Sequence, residues 1–295
     1  MIGAQRGFLM LTSQMGNPER KPLTIAQFRT LTIRAAQMKS PELSRELMVE
    51  DLVELGYDRQ MASRVVCLLQ EEELLDSYLF RGKQADCYPV TRICDDYPQQ
   101  VRQRLGLDAP GCLWAKGDTS LLHEPLVSLV GSRELQNANE EFASAVGREV
   151  ARQGYVLVSG NAKGADQTAQ NACLAVGGKV ICVVADELQK YPLQKNVLYL
   201  SEDSFDLPFT PQRALSRNRV IHTLGYITLI AQCAPGTGGT WDGTSKNLRH
   251  NWSPVFCFDD GTHGMEELVQ LGATSVGMDQ LTNLSALHSD IEKFL

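Results

Sequence analysis

LVSLVGSR (126–133) and YVLVSGNAKGAD (155–166) decide how this chain folds. Each is a continuous apolar run ending in a glycine-bearing turn, the pattern of a strand buried on both faces of a sheet. Working outward, VICVV (180–184), YITLIA (226–231) and PVFCF (254–258) repeat it. Between the first two runs lies a helix with Phe142, Ala145, Val146 and Val150 on one side. After the second, Ala169, Ala172, Cys173 and Val176 recur at i, i+3, i+4 and i+7. Parallel neighbours need crossover connections, so the alternation predicts an α/β fold, a doubly wound and mainly parallel Rossmann-like sheet over 126–295.

Upstream the rhythm is helical. Thr24 and Gln27 form a capping box, after which Phe28, Leu31, Ala35 and Met38 share a face. Ser40-Pro41-Glu42 favours a second start, ending near Gly56. Asp58 then caps a third helix running through Met61, Val65, Leu68 and Leu69 towards Tyr78. LVELGYDRQMASRVVCLL (52–69) looks like a helix-hairpin-helix or sterile-alpha-motif unit, with a plain structural bundle as the alternative. Residues 1–85 therefore read as a helical domain. Residues 86–125, interrupted by Pro89, Pro98, Pro110 and Pro125, read as a connecting extension, and 274–295 as at most a short helix.

At 295 residues, 43% hydrophobic and 21% charged, the chain has room for about two domains and is neither disordered nor fibrous. A net charge of −7 excludes a globally basic nucleic-acid coat, but not a basic pocket on an acidic body. No apolar run is long enough to span a membrane, and the N-terminus lacks a signal-peptide layout. The eight cysteines include no CxxC pair and the five histidines are scattered, so no metal is expected. Cys173, Cys182, Cys233 and Cys257 lie in apolar runs as small core residues, which suits a cytoplasmic protein.

Three glycine turns follow three of the strands: Gly131-Ser132-Arg133, Ser159-Gly160-Asn161-Ala162-Lys163-Gly164-Ala165-Asp166, and Gly236-Thr237-Gly238-Gly239-Thr240. Strand C-termini of a parallel sheet share one edge, where bare N–H groups and helix N-termini suit phosphates. Arg133 and Lys163 add charge there; turn geometry alone is the alternative use of each glycine. The spacing is not a dinucleotide fingerprint, so no cofactor is implied. A second cluster, Arg213, Arg217, Asn218 and Arg219, places two guanidiniums at i and i+4. It reads either as a phosphate-binding face or as ion pairs with Glu202, Asp203 or Asp206. Tyr191, Phe205 and Phe209 lie among these cations and offer base stacking or loop packing, Phe209 first. Asp166 serves as a helix first-turn acid or as a catalytic one. His123, His222, His250 and His263 have no acid–nucleophile arrangement, and no catalytic residue is assigned.

Together YPQQVRQRL (97–105), LWAKGD (113–118), LVSLVGSR, LVSGNAKGAD (157–166), AVGGKVICVV (175–184), KYP (190–192) with Asn196, LSED (200–203), SRNRVI (216–221) and the turn at 236–240 resemble the DNA-processing protein A (DprA, Smf) family. The likeness covers roughly 88–275. It implies a Rossmann-like domain that binds single-stranded DNA, loads a RecA-type recombinase during natural transformation, and dimerises, with no established enzymatic activity. It puts Arg133, Ser159, Gly160, Lys163, Lys190 or Lys195, Phe209, Arg217 and Asn218 on or near the DNA pocket; Arg219 completes an RNR motif, or is a buried structural residue. Departures are Lys163-Gly164-Ala165-Asp166 with Gln170, where the family has Arg-Gly-Ile-Asp and a following His, and a short segment after Asn196 that leaves no room for a helix. Many members carry a further C-terminal winged-helix-like domain, which 274–295 is not expected to form. The alternative function is a nucleotide-binding enzyme or sensor similar to phosphoribohydrolases, with Asp166, Glu202 or Asp242 as the carboxylate.

Overall fold

The structure is a computed structural model that describes residues 3–37 and 46–287. Ser40-Pro41-Glu42 and Met38 lie outside the described residues. Five helices come first: α1 (Gly3–Thr12), α2 (Ile25–Ala35), α3 (Val49–Glu54), α4 (Arg59–Leu69) and α5 (Glu72–Gln84). The Thr24–Gln27 capping box opens α2, and the Asp58 carboxylate accepts from the Met61 N–H to open α4. The helix predicted to run on to Tyr78 breaks at Gln70, and the chain restarts as α5.

The strands are β1 (Tyr88–Thr91), β2 (Cys112–Lys116), β3 (Leu126–Val130), β4 (Val156–Ser159), β5 (Lys179–Val184), β6 (Val197–Glu202), β7 (Ile227–Ile230), β8 (Val255–Phe258) and β9 (Thr274–Val276). They form one sheet in the order β1-β2-β6-β5-β4-β3-β7-β8-β9. From β6 through β3 to β9 every pairing is parallel, while β1–β2 and β2–β6 are antiparallel. The five apolar runs of the sequence are thus β3, β4, β5, β7 and β8. Four strands are additional. In the 86–125 stretch β1 and β2 extend the sheet, with Pro89 tolerated because β1 is an edge strand. The segment too short for a helix is itself a strand, β6. Where 274–295 was expected to give at most a short helix, β9 forms the far edge.

Helices follow between strands: α6 (Gln99–Leu105), α7 (Asn137–Arg152), α8 (Ala165–Ala175), α9 (Pro211–Ser216), α10 (Asn218–Leu224), α11 (Gly238–His250) and α12 (His263–Gln270). The main core joins both faces of the sheet to Leu9 and Met10 of α1 and Leu75 and Tyr78 of α5. A smaller core of Leu11, Leu23, Leu31, Leu52, Ala62, Val65 and Leu68 holds α1–α4 together. Strand order reverses at β3, with β4 on one side and β7 on the other. That switch leaves a crevice beyond the strand C-termini, where open α/β sheets bind ligands.

Candidate nucleic-acid interface

A cleft of 590 Å³ occupies this crevice, walled by the first and third glycine turns, the start of α10, and Phe209. The turns are tied to one another. The Ser132 N–H donates to Gln232 O (3.0 Å), Thr240 Oγ1 donates to Gly131 O (2.9 Å), and the Ala165 N–H donates to Ser132 O (3.1 Å). Gly164, at φ +86°, packs so closely that a Cβ would stand 2.5 Å from the carbonyl oxygens of Ser132 and Arg133. Its glycine is therefore needed for backbone approach.

In the second turn the N–H groups of Gly160 and Ala162 are not bare, contrary to the sequence expectation. Asp166 folds back over it, its Oδ2 accepting from the N–H groups of Gly160 (3.0 Å) and Ala162 (3.2 Å). Burial pushes the Asp166 carboxyl up from its ordinary range, opposed by the Arg217 charge and by these two donors. Ser159 is also occupied, its hydroxyl accepting from the Gln170 amide. A Cβ at Gly160 would fall inside the Arg217 guanidinium, so glycine here makes room for arginine.

Arg217 is only 9% exposed and lines the cleft; its Nε has no hydrogen-bond partner among the described residues. Desolvation lowers its pKa, and nearby Asp166, Tyr191 and Glu202 counter that shift. Its neighbours differ. Arg213 donates to Ala185 O (3.2 Å) and Ser201 Oγ (2.9 Å), and Arg219 pairs with Glu202 (3.0 Å), which also accepts from Ser216 Oγ. Arg217 keeps helical backbone and its N–H donates to Arg213 O (3.0 Å), so the two stand one turn apart as their i, i+4 spacing predicts, yet only Arg217 lines the cleft. Ion pairing, the alternative reading of this cluster, describes Arg219. Glu202 is pushed up to about 6, first by burial, with Arg219 opposing.

Arg133 stands exposed at the rim, with no ion pair among the described residues. Lys163, Lys190 and Lys195 are exposed and do not line the cleft; Lys190 pairs with Glu187 at 2.6 Å. Phe209 is 50% exposed and lines the cleft, whereas Phe205 is buried between Tyr78 and Trp114. Asn218 Nδ2 donates to Gly239 O (3.0 Å) and steadies the third turn. From Gly238 that turn opens α11, whose N-terminus has no side-chain cap.

Sequence reasoning set His222 aside, yet it lines the cleft. The Ser253 N–H donates to Asn247 Oδ1 (2.9 Å), which fixes the amide; Asn247 Nδ2 then faces Ser253 Oγ and His222 Nδ1, both at 3.0 Å. Nδ1 is therefore an acceptor, and the ring proton sits on Nε2. Burial pushes the His222 pKa down to about 3, so the ring stays neutral. Its i+4 spacing from Asn218 was the only signal in the sequence. No metal-holding group of three or more His, Cys, Asp or Glu side chains exists among the described residues, and none of their helices is long and apolar enough to cross a membrane.

A cleft floored by Arg217 at the switch point of a mainly parallel α/β sheet is the arrangement of a Rossmann-like domain. The profile of the DNA recombination-mediator protein A family matches residues 89–286, and the chain belongs to that family. It is 30% identical to the DNA processing protein DprA of Streptococcus pneumoniae over 252 residues, 81% of this chain and 86% of the relative. The crystal structure of that species' DprA superposes with a TM-score of 0.66 at 23% identity, covering 92% of this chain and 93% of the other. DNA processing protein A from Helicobacter pylori, described for its single-stranded DNA binding mode, gives 0.56 at 23% identity over 70% of this chain and 96% of the other. At these identities the structural likeness speaks for the fold.

Proposed function

We propose that this chain binds single-stranded DNA across the cleft and passes it to a RecA-type recombinase, as a cytoplasmic homodimer. The observation that carries the DNA reading is Arg217, a buried guanidinium with an unpartnered Nε at the floor of the switch-point cleft. A backbone phosphate completes it, with Arg133 at the rim and the Gly238 end of α11 as further donors. Phe209 stacks a base, Asn218 holds the third turn, and Lys163, Lys190 and Lys195 attract the strand from outside the cleft. Gly131, Ser132, Ser159, Gly160 and Gly164 shape the floor. Arg213 and Arg219 support it by anchoring α9 and α10. The recombination-mediator family supports the handover, and eight unpaired cysteines suit a reducing compartment. In this reading residues 126–295 bind DNA, 1–85 form a helical domain, and 86–125 connect the two.

Fluorescence anisotropy of a labelled oligo-dT tests this, with duplex and mononucleotide competitors. Affinity is expected to fall with salt at a log–log slope of roughly −0.7 per phosphate neutralised, and to be lost in Arg133→Ala and Arg217→Ala. Salt-independent binding would overturn it. The second reading, a mononucleotide-binding enzyme or sensor, draws on the uncapped glycine start of α11, which suits a single phosphate. It predicts that a mononucleotide displaces the strand or releases free base.

A further inference from the structure

The helical half and the cleft are joined at one buried polar cluster that the cleft chemistry does not use. Between β6 and α9 the chain runs through Ser204, Phe205 and Asp206 before reaching Phe209. Tyr78 of α5 places its hydroxyl 2.6 Å from Ser204 Oγ and 3.4 Å from Asp206 Oδ1. Ser204 Oγ donates to Asp206 Oδ1 at 2.6 Å, which leaves the Tyr78 hydroxyl to donate to Ser204. Arg81, one turn further along α5, donates to Asp206 Oδ2 at 2.9 Å. Its guanidinium also lies 5.2 Å from the Tyr78 ring centroid and 5.8 Å from that of Phe205. Phe205 is 1% exposed, wedged between Tyr78 (4.9 Å) and Trp114 (4.7 Å). The turn after α1 closes the cluster: Gly16, at φ +75°, packs against Arg81, Asp206 and Tyr78.

From the cluster to the cleft is a short, stiff path. Only Leu207 and Pro208 separate Asp206 from Phe209, and proline fixes its own φ and restricts the residue before it. On its far side the Phe209 N–H donates to Asp186 Oδ1 at 3.2 Å. The backbone that carries the half-exposed ring is therefore held on both sides of it, on one side by a helix 125 residues earlier in the chain. A ring held this way loses less conformational freedom when a base stacks on it.

We propose that Tyr78 and Arg81 are positioning residues for the nucleic-acid cleft. By gripping Ser204 and Asp206 they set the loop that presents Phe209, so base stacking in the cleft depends on the helical half. This deepens the single-stranded DNA reading and rests on it.

The test is a double-mutant cycle in the full chain, using Phe209→Ala, Arg81→Ala and their combination with oligo-dT carrying one 2-aminopurine. Phe209→Ala is expected to lower affinity roughly tenfold and to abolish most of the 2-aminopurine quench. Arg81→Ala is expected to reproduce much of both losses and to add little on top of Phe209→Ala. The salt slope is expected to stay unchanged, because the phosphate-facing cations are intact. Additive losses, an unaltered quench in Arg81→Ala, or a shallower salt slope would each overturn the proposal. Tyr78→Phe keeps the ring packing and removes only the hydroxyl; it answers the question should Arg81→Ala fail to fold. A fluorine resonance from fluorophenylalanine, assigned to Phe209 by its loss in Phe209→Ala, reads the loop without DNA. It is expected to shift or broaden in Arg81→Ala, and an unchanged resonance would also sink the proposal. Absence of strand binding by the wild type would end the DNA reading, and the fluorine experiment would still decide the positioning role.

Discussion

The second and third glycine turns stand on the same sheet edge and look alike in sequence, yet one has two of its N–H groups taken by its own acid and the other does not. In the second, Asp166 returns to its own turn and takes the N–H groups of Gly160 and Ala162. In the third, no acid plays that part: Thr240 donates to Gly131 O, and Asp242 pairs with Lys246 at 2.8 Å. The start of α11 has no side-chain cap, so its first N–H groups are not taken by its own N-cap residue. A glycine turn thus presents an anion site only when its own loop brings no carboxylate to fill it. The filled turn has a different use, since its glycine lets Arg217 lie against the backbone and its carboxylate faces that cation.

Arg217→Ala is the harshest way to break this contrast. It removes the floor cation and leaves Asp166 buried without its main opposing charge. Strand affinity is expected to fall by about a hundredfold, as for a charged hydrogen bond, and stability by about 3 kcal/mol. Anisotropy and chemical denaturation measure the two. Adding Asp166→Asn is expected to recover most of the stability and at most about threefold of the affinity; full recovery of both would move the phosphate elsewhere.

Gly239→Asp sharpens the contrast by giving the open turn what the filled one has. A Cβ at Gly239 meets the Asn218 amide at 3.4 Å and the Leu215 side chain at 3.8 Å, both side chains rather than backbone. The new acid is expected to stabilise α11 by about 0.5 kcal/mol, read as a higher melting temperature, while affinity drops by about tenfold. A gain in stability with unchanged affinity would remove α11 from the interface. Asp166→Asn alone is the milder converse. The amide oxygen still accepts from the turn, but the negative charge beside the strand is gone, so affinity is expected to rise roughly threefold by titration at low salt. Weaker binding would mean that Asp166 orients Arg217 rather than merely balancing it.

What the sequence disclosed and what it hid follow the range of the contacts. The runs at 126–130, 155–159 and 180–184 identify themselves because a strand buried on both faces is mostly apolar, its few polar residues, Ser128 and Ser159, being buried with hydrogen-bond partners. Strand β2, CLWAK, escapes because it carries Lys116, whose Nζ reaches Gln189 O while the residue stays buried. β6 escapes because its run, VLYLSE, ends in Ser201 and Glu202, which read as the start of the polar segment that follows. In the site, Arg213, Arg217 and Arg219 are alike in sequence. Their roles separate through Ala185, Ser201 and Glu202, none of which is local. His222 likewise depends on Asn247 and Ser253, more than twenty residues on. The fold-back of Asp166 spans only four to six residues and is the one feature that local spacing had the reach to disclose.

The smallest expected effect on strand binding, though not on stability, concerns the acid beneath the arginines. Glu202 faces Arg219, Ser216, Asp203 and Arg217, and burial raises it from 4.5 to about 6. The folded protein therefore binds this proton more tightly than the unfolded chain does. Its contribution to stability is present below pH 4.5 and is lost as pH climbs through 6, by about 2 kcal/mol in all. His222 has the opposite sign: its pKa falls from 6.5 to about 3, so stability is lost as pH drops below 6.5. Between pH 4.5 and 6 the two oppose each other and flatten the wild-type profile. Glu202→Gln removes one arm, and denaturation midpoints are expected to fall more steeply on acidification in the variant than in the wild type. Parallel profiles would show that Glu202 stays ionised across this range, held by Arg219 more firmly than burial opposes it.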